Sequence, residues 1–433
     1  MNRASLRLII PAILLVACSE RPTGPPDLTS TGTAWSAIQG GQPQPPLASV
    51  LWEARAGDVV TSRSFSPIVA SRVYALVAIA QYAAVVAADG RRGGSDEKFS
   101  QGFHASPDVR RGAVAGASVQ VLKYVAPPNA TPLETQLTAD IAAVPAATRA
   151  EFVAGVAIGR ALGDVVVARG KADGFTNADG TAKVWDPSTL PSGAGIWYMD
   201  ADATPHVPAG FQFPTMKPYY LDSPDQFRPA PPPTSVTAAA AEVVDIVDHR
   251  GTAGTAIAIF WNFNAPSVTP LGYWDQQTAI YIKEHSLDER AATHVFALVN
   301  TAAMDAVLGC WDAKYHYLVQ RPWQVDPVGL PNSKLVIGRP NHPSYPSGHS
   351  CVSSSAAAVL EHFFPEQKEK LDAQVAEAGL SRVYAGIHYL MDIEAGQGLG
   401  RSTARWAIHY DQRYGLLEAI LPNSPHYDHD NRP

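Results

Sequence analysis

The chain has 433 residues, of which 46% are hydrophobic and 17% charged, and its formal net charge is −7 at pH 7. This length and composition are typical of a globular protein with a large core, and the usual range of domain sizes predicts two or three domains. The acidic balance and the lack of a basic run argue against a nucleic-acid partner, because nucleic-acid-binding proteins present a basic surface.

The first residues have the pattern of a bacterial export signal. Two arginines precede the apolar stretch 8–16, which is too short to span a membrane. The stretch leads into Leu-Val-Ala-Cys at Cys18, which resembles a lipobox, the site where a lipoprotein is cleaved and lipidated. We therefore expect a signal peptide over residues 1–17, then a lipidated Cys18 and a flexible linker over residues 18–46. The alternative is an ordinary signal peptide with a chance cysteine.

Such a protein would lie on the periplasmic side of a bacterial membrane, as part of the cell envelope. No other segment contains 18 uninterrupted apolar residues. We therefore expect a soluble body that contacts the membrane only through its lipid anchor.

Residues 47–234 form the predicted N-terminal region, which begins with helical patterns and ends in a proline-rich segment. Helices are expected over residues 66–88, 107–125 and 147–170, with another that starts near Thr131. Glycines 155, 159 and 163 recur every fourth residue and share one face, where another helix can approach closely. Residues 171–234 then form a proline-rich segment, which is either a wrap over the helices or a loop at the mouth of a functional site.

Residues 235–415 form the predicted catalytic region, which is again helical. Helices are expected over residues 236–248, 252–262, 274–285, 288–319, 348–362, 366–378 and 381–407, with Gly379 as the stop of the sixth. Residues 416–433 are a polar tail. Since no strand-like alternation persists anywhere, the sequence predicts an all-α fold.

Lys314 and Arg321 form the first of three runs that carry chemistry. Seven residues are two helical turns, so the spacing places both cations on one face of a helix that Pro322 ends. Two neighbouring cations repel each other unless an anion lies between them. The alternative is a solvated basic face.

The second run is Pro-Ser-Gly-His at residues 346–349, which leads directly into a helix. Backbone N–H groups at a helix N-terminus point at an anion, and Gly348 lets the backbone approach it. Ser347 adds a hydroxyl donor. The run lacks the two glycines of a serine-hydrolase elbow.

The third run contains Arg382, His388 and Asp392. Asp392 lies one turn after His388, so its carboxylate can bind Nδ1–H of the imidazole and leave Nε2 free. Alternatively, Asp392 pairs with Arg382. Arg382 and His388 would not share a face of an ideal helix, so we expect a turn between them.

In order, the runs read K-x6-R-P, P-S-G-H and S-R-x5-H-x3-D within residues 314–392. This pattern resembles the superfamily of type 2 phosphatidic acid phosphatases, bacterial nonspecific acid phosphatases and vanadium-dependent haloperoxidases. The resemblance implies the helical bundle of that superfamily.

For a haloperoxidase-like enzyme, the resemblance implies vanadate as cofactor, bound through Nε2 of His388. His349 would act as acid and base toward hydrogen peroxide, and the second substrate would be a halide. The vanadate oxygens would be held by Lys314, Arg321, Arg382, Ser347 and the Gly348 amide. Trp311 and His342 match positions in chloroperoxidase-like and bromoperoxidase-like members, which suggests a halide or substrate site. Core packing and a loop hydrogen bond are the alternatives for these two side chains.

For a phosphatase-like enzyme, the same residues would hold the phosphoryl group of a phosphomonoester and no cofactor would be needed. His388 would be the nucleophile that forms a phosphohistidine, and His349 would protonate the leaving oxygen. We prefer the peroxidase because of the long region before Lys314, the absence of membrane-spanning helices and the match at Trp311 and His342. A non-catalytic lipoprotein remains an alternative.

A zinc site built from His342, His349 and His388 is a further alternative, although no strong zinc spacing supports it. Cys310 and Cys351 are expected to form a disulfide. Cys310 lies one turn before Lys314 and Cys351 lies two residues after His349, so an anion held by both runs would bring the cysteines together. The competing interpretation is two separate buried thiols.

Overall fold

The computed structural model describes residues 46–90, 105–177, 181–183, 186–193, 195–203, 207–325 and 328–419. The expected signal peptide, Cys18 and nearly all of the linker lie outside these residues. So does the tail from residue 420.

Twelve α-helices form within the described ranges, together with short 3-10 turns and no β-strand beyond two isolated bridges. The predicted all-α fold is confirmed. The helices are α1 (Ala48–Ser62), α2 (Pro67–Ala88), α3 (Pro107–Val125), α4 (Ala130–Ala143), α5 (Arg149–Ala172), α6 (Thr237–His249), α7 (Gly251–Phe260), α8 (Thr269–Glu284), α9 (Glu289–Tyr317), α10 (Gly348–Phe363), α11 (Lys368–Tyr384) and α12 (Leu390–Tyr414).

The helices α2 and α9 form the centre of the bundle. Both are long and apolar enough to cross a membrane by length and composition, but 89% of the most apolar stretch of each is buried inside the protein. A helix that is apolar nearly all round is stable in water only when other elements surround it. One apolar core runs from Ala48 to Leu417, so the N-terminal and catalytic regions expected from the sequence share it.

The helices α3 and α5 pack with their backbones in close contact. A Cβ atom added at Gly155 would lie 2.1 Å from the carbonyl oxygen of Val109, and one added at Gly159 would lie 2.0 Å from that of Ala113. Any side chain at these positions would push the helices apart. The close approach predicted from the glycine spacing is confirmed.

The break between α11 and α12 does not lie at Gly379, where the sequence predicted it. The helix α11 runs through Gly379, where a Cβ atom would meet Cγ2 of Ile393 at 2.4 Å. Gly379 is therefore a packing contact with α12. The chain breaks instead at Gly386, whose φ of +78° favours glycine. This break supplies the expected turn between Arg382 and His388.

The proline-rich segment is bound to α9 by two carboxylates. Asp305 accepts hydrogen bonds from the three consecutive backbone N–H groups of residues 219–221, at 2.7 to 3.2 Å. Two turns further along α9, Asp312 forms a bidentate ion pair with Arg228, at 2.7 and 2.9 Å. These contacts favour the interpretation of this segment as a wrap over the helices.

Two carboxyl groups lie buried between α1 and α8. Glu53 and Asp275 have no exposed surface, and neither oxygen of Glu53 has a hydrogen-bond partner among the described residues. Asp275 accepts a bond of 2.8 Å from Asn300. Burial raises the pKa of Glu53 well above its usual range and raises the pKa of Asp275 to about 8.

Glu53→Gln is expected to stabilise the fold at pH 7 by about 1–3 kcal/mol. Because the pKa of Glu53 is higher in the folded than in the unfolded protein, the folded state must take up a proton at neutral pH, at about 1.4 kcal/mol per pKa unit. Near pH 4 the unfolded state carries the proton too, so the gain should largely disappear. Urea unfolding at both pH values measures this.

Glu134→Gln is the matched control, for which we expect the opposite change in stability at pH 7. Arg160 and then Lys123 lower the pKa of Glu134 to about 2, so this carboxylate stabilises the fold above the unfolded pKa. Its replacement should decrease stability at pH 7. If Glu53→Gln increased the free energy of unfolding equally at pH 4 and pH 7, the raised pKa of Glu53 would not be the cause.

Candidate active site

The first cation of the site lies on α9 and the second lies beyond its end. The helix ends at Tyr317, and Leu318 takes a left-handed conformation with φ of +50°. Tertiary hydrogen bonds then hold the chain: the N–H of Trp197 donates to the Leu318 carbonyl at 2.7 Å. Arg321 therefore lies in extended chain. The prediction that Lys314 and Arg321 share one helix face was wrong.

Lys314 is fully buried, and its ammonium group binds the loop that precedes α10. Nζ donates to the carbonyl oxygens of Pro343 and Ser344 at 2.9 Å each, and to that of Pro346. These bonds use all three N–H groups of the ammonium. Burial lowers the pKa of Lys314 to about 8. The lysine thus holds the loop in place and adds positive charge behind it.

Arg321 is also fully buried and contacts two histidines. Nη1 donates to Nε2 of His388 at 3.1 Å, and Nη2 donates to Nδ1 of His342 at 3.1 Å. A guanidinium has no acceptor, so both ring nitrogens must be unprotonated. Burial lowers the pKa of Arg321 to about 10.

His388 is oriented by Asp392. Nδ1 of His388 lies 2.7 Å from Oδ2 of Asp392, which also accepts bonds from the Ser344 hydroxyl at 2.6 Å and the Tyr389 N–H at 3.1 Å. Asp392 therefore pairs with His388 rather than with Arg382. Burial and then Arg321 lower the pKa of His388 well below its usual range. The result is a neutral imidazole whose unprotonated Nε2 accepts the bond from Arg321.

Ser344 is a positioning residue that sequence analysis missed. Burial raises the pKa of Asp392 to about 6, and the hydrogen bond from the Ser344 hydroxyl keeps this pKa from rising further. Ser344→Ala is expected to weaken oxyanion binding roughly 10- to 100-fold, the usual effect of one hydrogen bond to a charged group. The loss should increase as pH falls from 8 towards 6, because the pKa of Asp392 rises in the variant. Calorimetric titration with inorganic phosphate measures both effects.

Ser350→Ala is the matched control for this prediction. Ser350 is an equally buried serine, but its hydroxyl has no partner among the described residues. Ser344→Thr keeps the hydroxyl and should recover part of the affinity. Equal losses in Ser344→Ala and Ser350→Ala would show that only packing was disturbed.

Arg382 completes the set of cations from α11. It is 1% exposed, and its guanidinium donates to the Ala258 carbonyl at 2.8 Å and to the Ser381 hydroxyl at 2.9 Å. Burial lowers the pKa of Arg382 to about 9. Unlike Lys314 and Arg321, it lines the cavity directly.

The N-terminus of α10 lies at the same cavity, which Gly348 and His349 line. Ser347 is the N-cap, and its side chain accepts the Ser350 N–H at 3.4 Å. His349 Nε2 lies 2.8 Å from the carbonyl oxygen of Trp261, so Nε2 carries the proton and Nδ1 is the free base in the neutral ring. Burial and then Arg382 lower the pKa of His349 well below its usual range.

These groups surround a cavity of about 260 Å³. The site residues that line it are Arg382, His342, His349, His388, Gly348 and Trp311, and Ser71, Asn264 and Arg339 are further polar residues of the lining. The rings of Trp311 and His342 pack against each other with centroids 5.2 Å apart. None of the described residues of the proline-rich segment lines the cavity, although Ala209 accepts a bond from the Trp311 indole at 2.9 Å. Ser347, Lys314 and Arg321 lie behind the lining.

The charge balance of the site fits an oxyanion such as phosphate or vanadate. Lys314, Arg321 and Arg382 are buried, and no ion pair among the described residues includes any of them. Buried cations are costly unless an anion is close. The unprotonated Nε2 of His388, the helix N-terminus and the remaining N–H groups of Arg382 supply a ligand and donors for a tetrahedral or trigonal anion.

A zinc site at the three histidines is not supported. Within the described part of the chain, no group of three or more His, Cys, Asp or Glu side chains is arranged to hold a metal ion. Arg321 donates to ring nitrogens of both His342 and His388. A guanidinium beside both rings would repel Zn²⁺.

The predicted disulfide is wrong: Cys310 and Cys351 are free thiols. Both are fully buried, and α9 and α10 do pack together. The Cys310 sulfur instead lies 3.8 Å from the Pro346 carbonyl, to which its S–H donates. Burial raises the pKa of Cys351 well above its usual range, so this thiol is held in its unreactive form.

Part of the chain matches known proteins in sequence. Residues 291–415, which contain all three runs, match the family model of the PAP2 superfamily. The chain is 31% identical over 114 residues to a non-specific acid phosphatase of Providencia stuartii, covering 26% of this chain and 46% of that protein. It is 31% identical over 105 residues to one of Salmonella typhi, covering 24% and 41%. The chain thus spans less than half the length of these relatives.

Solved structures extend the likeness to most of the chain. A bacterial vanadium-dependent iodoperoxidase superposes with a TM-score of 0.69 at 24% identity, over 85% of this chain and 97% of that one. A bacterial vanadium-dependent chloroperoxidase superposes with a TM-score of 0.62 at 16% identity, over 80% and 92%. The resemblance predicted from the motifs is confirmed, and the fold is that of the vanadium-dependent haloperoxidases.

Proposed function

We propose that this protein is a vanadate-dependent peroxidase that oxidises a halide with hydrogen peroxide. The observation that carries the proposal is the extent of the fold likeness. It covers 85% of the chain, whereas the PAP2 match begins at residue 291 and the aligned acid phosphatase regions cover about a quarter of the chain. The helices before residue 291 are thus part of what the chain shares with the haloperoxidases.

The site residues fit vanadate in the following way. His388 would bind the metal through Nε2, and Arg382 and the Gly348 amide would hold its oxygens from the cavity wall. Arg321 and Ser347 are buried next to these residues and do not line the cavity. When bound, vanadate supplies a Lewis-acid centre at which hydrogen peroxide becomes an oxidant.

The remaining side chains would handle protons and the halide. Nδ1 of His349 is unprotonated and lines the cavity, so it can accept the proton that hydrogen peroxide loses. Lys314 and the other two cations stabilise the negative charge of the bound oxyanion. Trp311 and His342 form the adjacent wall, where a halide would approach.

Phosphatase activity is the second candidate, and the acid phosphatase relatives favour it. In this case Nε2 of His388 attacks phosphorus, a phosphohistidine forms and the bond to the leaving oxygen breaks. His349 then supplies the proton to the leaving oxygen, and no cofactor is needed. The His388–Asp392 pair serves either chemistry because it leaves Nε2 neutral and nucleophilic.

Parallel assays of the purified protein separate the two functions. Iodide and bromide oxidation would be measured with vanadate and hydrogen peroxide, and p-nitrophenyl phosphate hydrolysis without vanadate. We expect vanadate to restore halide oxidation to the apo-enzyme and phosphate to compete with it. Phosphatase turnover with no halide oxidation at any vanadate concentration would overturn the peroxidase.

The pH dependence should also separate the two functions. A peroxidase needs His349 neutral, so its kcat/KM should fall as pH drops through the lowered pKa of His349 and level off above it. A phosphatase needs protonated His349 to donate, so its activity should fall as pH rises above the same pKa. Rate profiles from about pH 4 to pH 8 measure the sign.

We also propose that the protein is a lipoprotein on the periplasmic side of the membrane. The support is the Leu-Val-Ala-Cys sequence at Cys18. Labelled palmitate should be incorporated into the wild type, and Cys18→Ser should abolish it. Incorporation into the variant would disprove the anchor.

A further inference from the structure

The indole of Trp311 lies between the proline-rich segment and the start of α10. Its ring is 5% exposed and lines the cavity. Gly210 of the proline-rich segment lies at the pyrrole end of the ring, and Gly348 lies at the benzene end. The ring therefore connects a segment that does not line the cavity with a residue that does.

Both ends of this ring are tightly packed. A Cβ atom added at Gly210 would lie 2.3 Å from Nε1 of Trp311 and 2.5 Å from Cδ1 of Ile68. One added at Gly348 would lie 3.2 Å from Cη2 of Trp311. Gly210 also has a φ of +72°, which favours glycine. Because the two glycines lie at opposite ends of the ring, a side chain at residue 210 would move the ring towards Gly348.

The Ala209 peptide is held by hydrogen bonds on both of its sides. Its carbonyl oxygen accepts bonds from Nε1 of Trp311 at 2.9 Å and from the Tyr315 hydroxyl at 2.7 Å. Its N–H donates to the Asn341 carbonyl at 2.8 Å, and the Asn341 side chain donates to the Val207 carbonyl at 2.7 Å. This peptide therefore joins the proline-rich segment to α9 and to the loop before α10.

The position of the indole matters for the anion site because of the groups beside it. Gly348 is the first residue of α10 and lines the cavity, so its amide belongs to the helix N-terminus at which an oxyanion would bind. The ammonium of Lys314 lies 5.6 Å from the centroid of the Trp311 ring, within the range of a cation–π contact. A displaced ring would press on the backbone that would hold the anion.

We propose that Ala209 and Gly210 are positioning residues of the oxyanion site, which act by holding the Trp311 indole against Gly348. The proposal rests on the oxyanion site that the peroxidase and the phosphatase share, and it does not depend on which reaction follows. It gives the proline-rich segment a part in anion binding, although none of its described residues lines the cavity.

Tyr315→Phe and Tyr317→Phe are a matched pair that tests the role of Ala209. Each change removes one hydroxyl that donates to the proline-rich segment at 2.7 Å, to Ala209 in the first case and to Pro229 in the second. Tyr315→Phe should weaken the binding of inorganic phosphate roughly 2- to 10-fold, the range for one neutral hydrogen bond. Tyr317→Phe should leave it unchanged. Equal affinities in the two variants, measured by calorimetric titration, would overturn the role of Ala209.

Gly210→Ala and Gly174→Ala test the contact with the ring in the same way. Gly174 also lies in the proline-rich segment, with a φ of +89° and space for a Cβ atom only 2.9 Å from the Thr215 carbonyl oxygen. Gly210→Ala should weaken phosphate binding roughly 10- to 100-fold, as for a lost hydrogen bond to a charged group, and Gly174→Ala should not. Equal losses in both variants would assign the effect to backbone strain and overturn the proposal.

A double variant shows whether Gly210 acts through the indole. In the Trp311→Ala background the ring is gone, so Gly210→Ala should change the phosphate affinity by less than about 2-fold. A further loss as large as in the wild-type background would overturn the proposal.

Fluorine NMR of protein labelled with 5-fluorotryptophan reports the position of the ring without turnover. The chain has nine tryptophans, and Trp311→Phe identifies the resonance of Trp311. Gly210→Ala and Tyr315→Phe should move this resonance, and Tyr317→Phe should not. An unmoved resonance in Gly210→Ala would overturn the proposal.

The wild type distinguishes failure of this proposal from failure of the proposed function. Phosphate binding that responds to Gly210→Ala, without any halide oxidation, would uphold the positioning role and overturn the peroxidase. A wild type that binds neither phosphate nor vanadate would overturn the oxyanion site and the positioning role together.

Discussion

His388→Ala is expected to abolish vanadate binding at concentrations that saturate the wild type, and with it all halide oxidation. Nε2 of His388 is the proposed ligand of the metal, since its ring is neutral and its Nδ1 is bound to Asp392. Inorganic phosphate, which needs only hydrogen bonds and charge, should still bind through Arg321 and Arg382. Titration of the apo-enzyme with vanadate and with phosphate measures both.

His316→Ala is the control for this variant. His316 is exposed on α9, two residues from Lys314, and its loss should change neither affinity. Wild-type vanadate affinity in His388→Ala, with an unchanged circular dichroism spectrum, would refute the assignment of His388 as the metal ligand. Loss of phosphate and vanadate together would show that the whole anion pocket had collapsed.

His349→Ala is expected to leave vanadate binding largely intact and to lower kcat by roughly 10²- to 10⁴-fold, the usual contribution of a positioned acid or base. The acid limb of the pH profile should disappear with it, because the group that titrates is gone. His349 contacts the Trp261 carbonyl rather than another site side chain, so its removal should leave the cations in place. Steady-state rates and vanadate titration of the same preparation measure the two effects.

An acid limb that persists in His349→Ala would assign the proton transfer to another group. His342 lines the cavity and its pKa is also lowered well below its usual range, mainly by burial. His342→Ala therefore serves as the comparison. It should alter the halide dependence of the rate and leave the acid limb in place.

The convergence of the three runs could be predicted from the sequence because residue types and order define it. Three cations and a histidine in this order predict an anion site. The structure places Arg382 and His388 on one cavity, with Arg321 in contact with His388. The sequence could not show that the ammonium of Lys314 binds three carbonyls. Such bonds depend on how a distant loop folds back onto α9, which residue types alone do not specify.

Helix boundaries were the other part that the sequence could not determine. Leu318 ends α9 in a left-handed conformation that no glycine announces, because tertiary hydrogen bonds to Trp197 and Ser344 hold the chain there. Gly379 and Gly386 look alike in the sequence. One permits a close helix contact and the other breaks the chain, and only the position of α12 distinguishes them.

Part of the cavity lining comes from outside the stretch of chain that carries the reacting groups. The histidines and Arg382 lie within residues 291–415, whereas Ile68 and Leu271 lie at the starts of α2 and α8, before that stretch. Mutations in those two helix starts can change which molecules fit while the reacting groups stay untouched. Substrate preference can therefore change while the reaction stays the same. A mutant library limited to the starts of α2 and α8 would sample such changes in substrate preference.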